Sequence, residues 1–107
     1  MRPQTVTVSS QTQSNPLPVN WREQNFSLGV HVAAGVGTYS VQTTNDDPAD
    51  YTDATDYNSN ASWDDHPDLS GLTSTDAAGI QFPVRAVRLN VTAYTSGDFV
   101  MTVLQAT

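Results

Sequence analysis

The chain has 107 residues, with eleven acidic side chains against four arginines, no lysine and no cysteine, and its formal net charge is −7. A single domain is expected at this length, and so few cations exclude a phosphate-backbone or anionic-membrane partner, so neither nucleic acid nor membrane is predicted. The lack of cysteine excludes disulfides and thiolate metal sites, no apolar run approaches the ~20 residues of a membrane span, and the first residues lack the apolar stretch of a signal peptide.

The N-terminal residues predict an extended polar arm. Residues 5–9 alternate, with Val6 and Val8 on one side, which indicates a short peripheral strand. The residues from 9 to 15 are polar and show no period. We therefore expect an arm over residues 1–16 and a single β-sandwich domain over residues 17–107.

The next stretch has the clearest strand pattern of the chain. From Phe26 to Ala34, every second residue is apolar, and His31 lies on the opposite, more polar side. A Gly-Val-Gly bend at 35–37 follows, and residues 38–44 return with Tyr39, Val41 and Thr43 in phase. This pattern predicts a β-hairpin.

Residues 45–79 read as a long acidic insertion that is poor in aliphatic side chains. A connection of this length in a small domain is usually functional or disordered, and its aromatic residues suggest that it is partly packed. Its carboxylates are of the type that binds calcium, with Asp46 and Asp47 best placed because they follow a strand. The spacing of an EF-hand loop is missing, and we predict no metal site and no cofactor.

The stretch from Pro83 to Ala106 predicts a second hairpin. Val87, Leu89 and Val91 alternate with polar residues, and Ser96-Gly97 supplies the turn. The return strand from Phe99 is apolar on both sides, which is typical of a strand that is covered twice, inside a sandwich or by a neighbouring subunit.

These elements together predict an all-β fold. We expect a small antiparallel β-sandwich or jelly-roll-like domain with a long acidic loop and almost no helix. With 37% hydrophobic residues the core is thin, and small cores of this kind are often completed by oligomerisation.

Catalysis is not predicted. The two histidines, His31 and His66, are not accompanied by a Gly-x-Ser-x-Gly motif, and no nucleophile, base and orienting group can be assembled from the sequence.

Large aromatic residues and arginines are the best candidates for a partner interface, because both are enriched at such contacts. The aromatic residues could instead belong to the core or stack on sugar rings. Arg85 and Arg88 are expected to pair with the acidic loop or with a carboxylate of the partner. The predicted interface residues are Trp21, Tyr51, Tyr57, Trp63, Phe99, Arg85 and Arg88.

Four runs together carry a family resemblance. They are Gln-Asn-Phe-Ser-Leu-Gly-Val from residue 24, Gly-Thr-Tyr-Ser-Val-Gln-Thr-Thr-Asn-Asp-Asp-Pro from 37, Phe-Pro-Val-Arg-Ala-Val-Arg-Leu-Asn-Val-Thr from 82, and Val-Leu-Gln from 103. In combination they resemble small structural proteins of tailed bacteriophages, from about residue 17 onward.

The resemblance implies a non-enzymatic β-sandwich component of a virion, present in many symmetric copies. The expected role is a capsid decoration or cement protein on the outside of the head, assembled in the host cytoplasm, with the major capsid protein or other virion subunits as partners and a homo-oligomeric state. A head-to-tail or tail accessory protein is the alternative within this class, and a host-glycan-binding module is the alternative outside it.

Overall fold

The computed structural model describes residues 4–18, 28–80 and 84–105. Within these residues the chain forms eight strands, one seven-residue helix and one 3-10 turn. The strands are β1 (Gln4–Val8), β2 (Leu17–Pro18), β3 (Leu28–Ala33), β4 (Val36–Thr44), β5 (Asp64–Asp65), β6 (Asp76–Ile80), β7 (Ala86–Ser96) and β8 (Phe99–Gln105). The helix α1 spans Ala54–Asn60, and the 3-10 turn spans Pro48–Asp50.

The strands form two antiparallel sheets of four. Sheet I has the order β1-β8-β3-β6, and sheet II has the order β2-β7-β4-β5. In this order β1 pairs with β8, β2 with β7, β3 with β6 and β4 with β5. An eight-stranded, two-sheet arrangement of nested pairs is a jelly roll, so the predicted all-β class is confirmed.

Neither predicted hairpin exists. β3 pairs with β6 and β8 in sheet I, whereas β4 pairs with β7 and β5 in sheet II. β7 and β8 are likewise in different sheets. The short segments at 34–35 and 97–98 are therefore corners at which the chain crosses between sheets.

The two corners pack against each other through glycines. Gly97 has φ +80°, the positive value that the sequence predicted for a turn. A Cβ on Gly35 would lie 2.8 Å from the carbonyl oxygen of Ser96, and a Cβ on Gly97 would lie 3.3 Å from the Cα of Gly35. Side chains at these positions would push the corners apart, which is why glycine occupies both.

The core lies between the sheets and follows the predicted alternation. In sheet II, β7 contributes Val87, Leu89 and Val91, and β4 contributes Tyr39 and Val41. In sheet I, β3 contributes Val30 and Val32, and β8 contributes Phe99, Met101 and Val103. Tyr39 and Phe99 pack edge to face with ring centroids 5.9 Å apart. β8 carries apolar residues on both faces, but the sandwich covers only the inner one, because Leu104, on the outer face, is 48% exposed. That a neighbouring subunit covers this outer face stays a prediction.

The predicted division into an arm and a domain is also wrong. β1 is an edge strand of sheet I and pairs with β8 from Gln4 to Val8. Ser14 donates its backbone N–H to the carbonyl of Leu89, and Val91 donates to Thr12. Residues 4–14 are therefore part of both sheets of the sandwich.

The predicted insertion at 45–79 contains the sixth strand of the fold. β6 pairs with β3 from Leu28–Ile80 to Val32–Asp76. Ile80 and Val87 are both buried although an odd number of positions separates them, because they belong to strands of different sheets. Residues 81–83 lie outside the described residues. None of the helices in the described part of the chain has the length and apolar character needed to cross a membrane.

Candidate interaction surfaces

Residues 45–63 fold over the outer face of sheet II, and we call this segment the acidic cap. Arg88 alternates along β7 with Val87 and Leu89, which are both in the core, so its side chain lies on the outer face. There it contacts Asn58 and Trp63 of the cap. The segment that the sequence described as functional or disordered is an ordered cover.

Asp46 organises the start of the acidic cap. Its carboxylate oxygen Oδ2 accepts hydrogen bonds from the hydroxyl of Tyr51 at 2.9 Å and from the backbone N–H of Ser62 at 2.8 Å. Its carbonyl accepts from the hydroxyl of Tyr57 at 2.8 Å. The hydrogen bonds from Ser62 and Tyr51 lower the pKa of the Asp46 carboxyl.

The helix α1 begins at an aspartate cap. Asp53 accepts a hydrogen bond from the backbone N–H of Asp56 at 2.8 Å, which satisfies one of the unpaired donors of the first turn. Asp56 in turn accepts from the backbone N–H of Thr52 and from the side-chain amide of Asn60. The Thr52 and Asn60 hydrogen bonds lower the pKa of Asp56.

Three aromatic side chains of the acidic cap pack together. Tyr57 is buried, and its ring centroid lies 5.3 Å from that of Tyr51 and 5.8 Å from that of Trp63. Burial raises the pKa of Tyr57 to about 12. The cap therefore has a small hydrophobic core of its own on the outside of sheet II.

Arg88 joins this cluster to the sheet. Its Nη1 donates to the carbonyl oxygen and to the side-chain Oδ1 of Asn58, each at 2.6 Å, and its Nε donates to Gln42 Oε1 at 2.7 Å. The guanidinium lies 4.3 Å from the centroid of the Trp63 ring, within cation–π range. Burial lowers the pKa of Arg88. Its hydrogen bonds and its contact with Trp63 make this arginine a structural element of the cap.

Arg85 makes an ion pair with the acidic segment, as the sequence predicted. Arg85 Nη2 lies 3.1 Å from Asp47 Oδ1, and the same oxygen accepts the backbone N–H of Ala49. Asp46 and Asp47 each accept hydrogen bonds that hold the cap together. These hydrogen bonds give both carboxylates a structural role after β4 that needs no cation. Across residues 4–18, 28–80 and 84–105, no three histidine or carboxylate side chains are placed to share a metal ion.

The two histidines differ in environment. His66 is 5% exposed, its Nε2 lies 3.0 Å from the carbonyl oxygen of Gly79, and its Nδ1 accepts the backbone N–H of Asp68 at 3.1 Å. Since a carbonyl only accepts, Nε2 is the donor to Gly79, and both nitrogens are committed to structure. His31 is exposed on sheet I beside Ala77 and Thr102.

The predicted interface set is distributed over three environments. Phe99 is fully buried in the core, and Tyr57 and Arg88 are 4% and 7% exposed under the cap, so the prediction that these three contact a partner is corrected. Tyr51, Trp63 and Arg85 are partly exposed at the cap surface. Trp21 lies outside the described residues.

The outer face of sheet I differs from that of sheet II in both charge and cover. The strand alternation gives ten outward residues, none of which is Asp, Glu, Lys or Arg: Thr5, Thr7, Gly29, His31, Ala33, Ala77, Gly79, Val100, Thr102 and Leu104. A shallow groove of about 550 Å³ crosses this face along Gly29 and Gly79, with Leu104 and His31 among its lining residues. We call this surface the uncharged face.

Sequence reasoning missed the residues that define this groove. Gly29 interrupts an otherwise regular strand, and an isolated strand glycine is a recognised sign of close approach by another group. Leu104 was expected to be covered either inside the sandwich or by a neighbouring subunit, and the sandwich leaves it 48% exposed.

Comparisons with protein-family models, with curated proteins and with solved structures found no match for this chain.

Proposed function

We propose that this chain is a structural protein of a tailed-bacteriophage virion, and that it acts as a decoration or cement protein on the outside of the head. The observation that carries the proposal is the nested strand order, since the eight-stranded jelly roll is an architecture that viral capsid proteins use. The sequence resemblance to small phage structural proteins gives the same function. Because one fold serves many functions, the proposal rests on the strand order and the sequence resemblance together.

The distribution of charge supports an outer position. Five aspartates from the cap and the segment that follows it are exposed, namely Asp50, Asp53, Asp64, Asp65 and Asp68. This side of the molecule would be repelled by packaged DNA and attracted to a basic surface on neighbouring subunits. The role proposed for the acidic cap is therefore electrostatic complementarity with the capsid.

The proposed mechanism consists of binding energy alone. Each copy would contribute modest contacts, and engagement of several capsid subunits at once would multiply them through effective concentration. A shell tied together in this way resists the outward pressure of packaged DNA.

Titration of the protein onto capsids that lack it tests the proposal. We expect saturable binding over the shell faces, seen by cosedimentation and by electron microscopy, and a higher temperature of capsid disruption. Binding confined to one vertex would assign the protein to the tail connection instead. An absence of capsid binding together with a glycan-array signal would replace the proposal with a glycan-binding role.

The structure also gives a matched pair of variants for this titration. Asp64→Asn with Asp65→Asn removes two exposed charges of the acidic side, whereas Thr5→Asn with Thr7→Asn changes the opposite face without changing charge. We expect only the first pair to weaken capsid binding, and the loss should be largest at low salt.

A further inference from the structure

The uncharged face has a protruding side chain next to a groove. Leu104, Gly29 and Gly79 are direct register neighbours on β8, β3 and β6. Leu104 is 48% exposed, and the two glycines beside it have no side chains. The row therefore has a protruding apolar side chain at one end, Leu104, which we call the knob. The open groove over Gly29 and Gly79 beside it is called the trough.

The fold itself does not require glycine at position 29. A Cβ added there would lie 3.9 Å from the carbonyl oxygen of Leu104, which is ordinary contact, and the φ of Gly29 is not in the positive range. Glycine in the middle of a strand costs roughly 0.5–1 kcal/mol relative to alanine. A residue that is costly and not needed for folding indicates that another surface approaches here.

The net charge of the chain determines which face a second copy can contact. Every copy carries a formal charge of −7, and like charges that face each other across a contact are costly. The ten outward residues of sheet I include no charged side chain, whereas the cap on the other sheet is acidic. The uncharged face is therefore a surface on which two copies can meet without carboxylates that oppose each other across the contact.

We propose that the uncharged face is a self-association surface, on which a second copy of this chain packs with two-fold symmetry. Consider a two-fold axis that runs parallel to β3 and passes above Gly29. It places Leu104 of each copy over Gly79 of the other, because the neighbouring strands β8 and β6 lie at equal distances of about 4.8 Å on either side of β3. The knob and the trough are then matched twice in a self-complementary contact. This inference is independent of the virion assignment.

The size of the face sets the strength of the contact. Strands of five to seven residues, four abreast, cover roughly 400 Å² at usual strand spacings. Stable interfaces bury about 800 Å² on each partner. The dimer is consequently weak in solution and forms at high protein concentration.

Sedimentation equilibrium of the full chain, up to about 1 mM, is the test, since weak contacts have dissociation constants in this range. We expect the mean mass to rise toward that of a dimer. Leu104→Asp should weaken association at least about tenfold, because it removes two buried leucines and opposes two carboxylates. Val36→Asp is the matched control, since Val36 is 56% exposed and lies on sheet II, and it should leave association unchanged.

A second variant separates association from folding. Gly29→Val fills the trough and suits a strand, so it should keep or raise the melting temperature while it weakens association by a similar factor. A constant monomer mass up to the highest concentration would overturn the proposal. So would equal association of the native chain, Leu104→Asp and Gly29→Val.

Discussion

Arg88 is the residue that attaches the acidic cap to the sandwich. Its guanidinium donates to three oxygens of Asn58 and Gln42 and stacks on Trp63. The side chain is almost fully buried, so its planar arrangement of donors cannot be replaced by an ammonium group that points in one direction.

We predict that Arg88→Lys lowers the free energy of unfolding by about 1–3 kcal/mol, the usual cost of buried polar groups that lose their partners. Urea unfolding followed by tryptophan fluorescence measures the change. Asp47→Asn is the comparison, because it weakens an ion pair whose acid is 48% exposed and should cost no more than about 1 kcal/mol. Equal losses in the two variants would contradict this account of Arg88.

Two aspartates make the cap sensitive to acid. Hydrogen bonds hold the pKa values of Asp46 and Asp56 below their ordinary value in the folded chain. Stability from a carboxyl whose folded-state pKa is depressed is complete above its unfolded pKa, about 3.9, and is lost as pH falls through the lower, folded value.

The cap is therefore expected to open below about pH 4, before the jelly roll unfolds. Fluorescence of Trp63 in a Trp21→Phe background reports the opening. Asp46→Asn should abolish part of the acid transition, whereas Asp98→Asn, which removes the same charge from an exposed site beyond the cap, should not. An identical transition in both variants would argue against Asp46 as the titrating group.

At the scale of elements, the sequence predicts strands better than their pairing. Alternation identified the buried residues of β3, β4 and β7 because each strand has one face in the core. Pairing was wrong because glycines at 35–37 and 97 look like hairpin turns, yet they form corners between sheets. Glycine occurs in both corners as it does in hairpin turns, so local sequence does not distinguish the two.

Two further elements escaped prediction for different reasons. β6 is Asp-Ala-Ala-Gly-Ile, a segment with only one of the β-branched residues that usually indicate a strand, and it is held by pairing with β3. The helix α1 has too few apolar residues to show a period, although Asp53 three residues before Asp56 is a recognisable cap pattern. The acidic surface could be predicted, but its fold over Arg88 depends on contacts between distant residues.

The contact between corners gives a prediction for the elements that it joins. Gly35→Ala should lower the free energy of unfolding by about 1–3 kcal/mol, the usual cost of overpacking, because the new methyl group meets the Ser96 carbonyl. Gly29→Ala is the matched control and should be neutral or stabilising by up to about 1 kcal/mol. Thermal unfolding followed by circular dichroism compares them, and equal melting temperatures would count against the corner contact.

At the scale of the whole molecule, the first strand completes the sandwich. β1 covers one edge of β8, and residues 12–14 bond to β7. We predict that a chain starting at residue 17 melts at a markedly lower temperature or fails to fold, as judged by circular dichroism. An unchanged melting temperature would support the arm that the sequence indicated.

The nested order also has a consequence for biosynthesis. β8 is the last of the described strands to leave the ribosome, yet it lies between β1 and β3 in the middle of sheet I. Until β8 is available, β1 is therefore separated from the paired strands β3 and β6 by the place that β8 occupies in the folded sheet. Folding that waits for distant segments in this way is slow, and strand edges that stay exposed in the meantime favour aggregation.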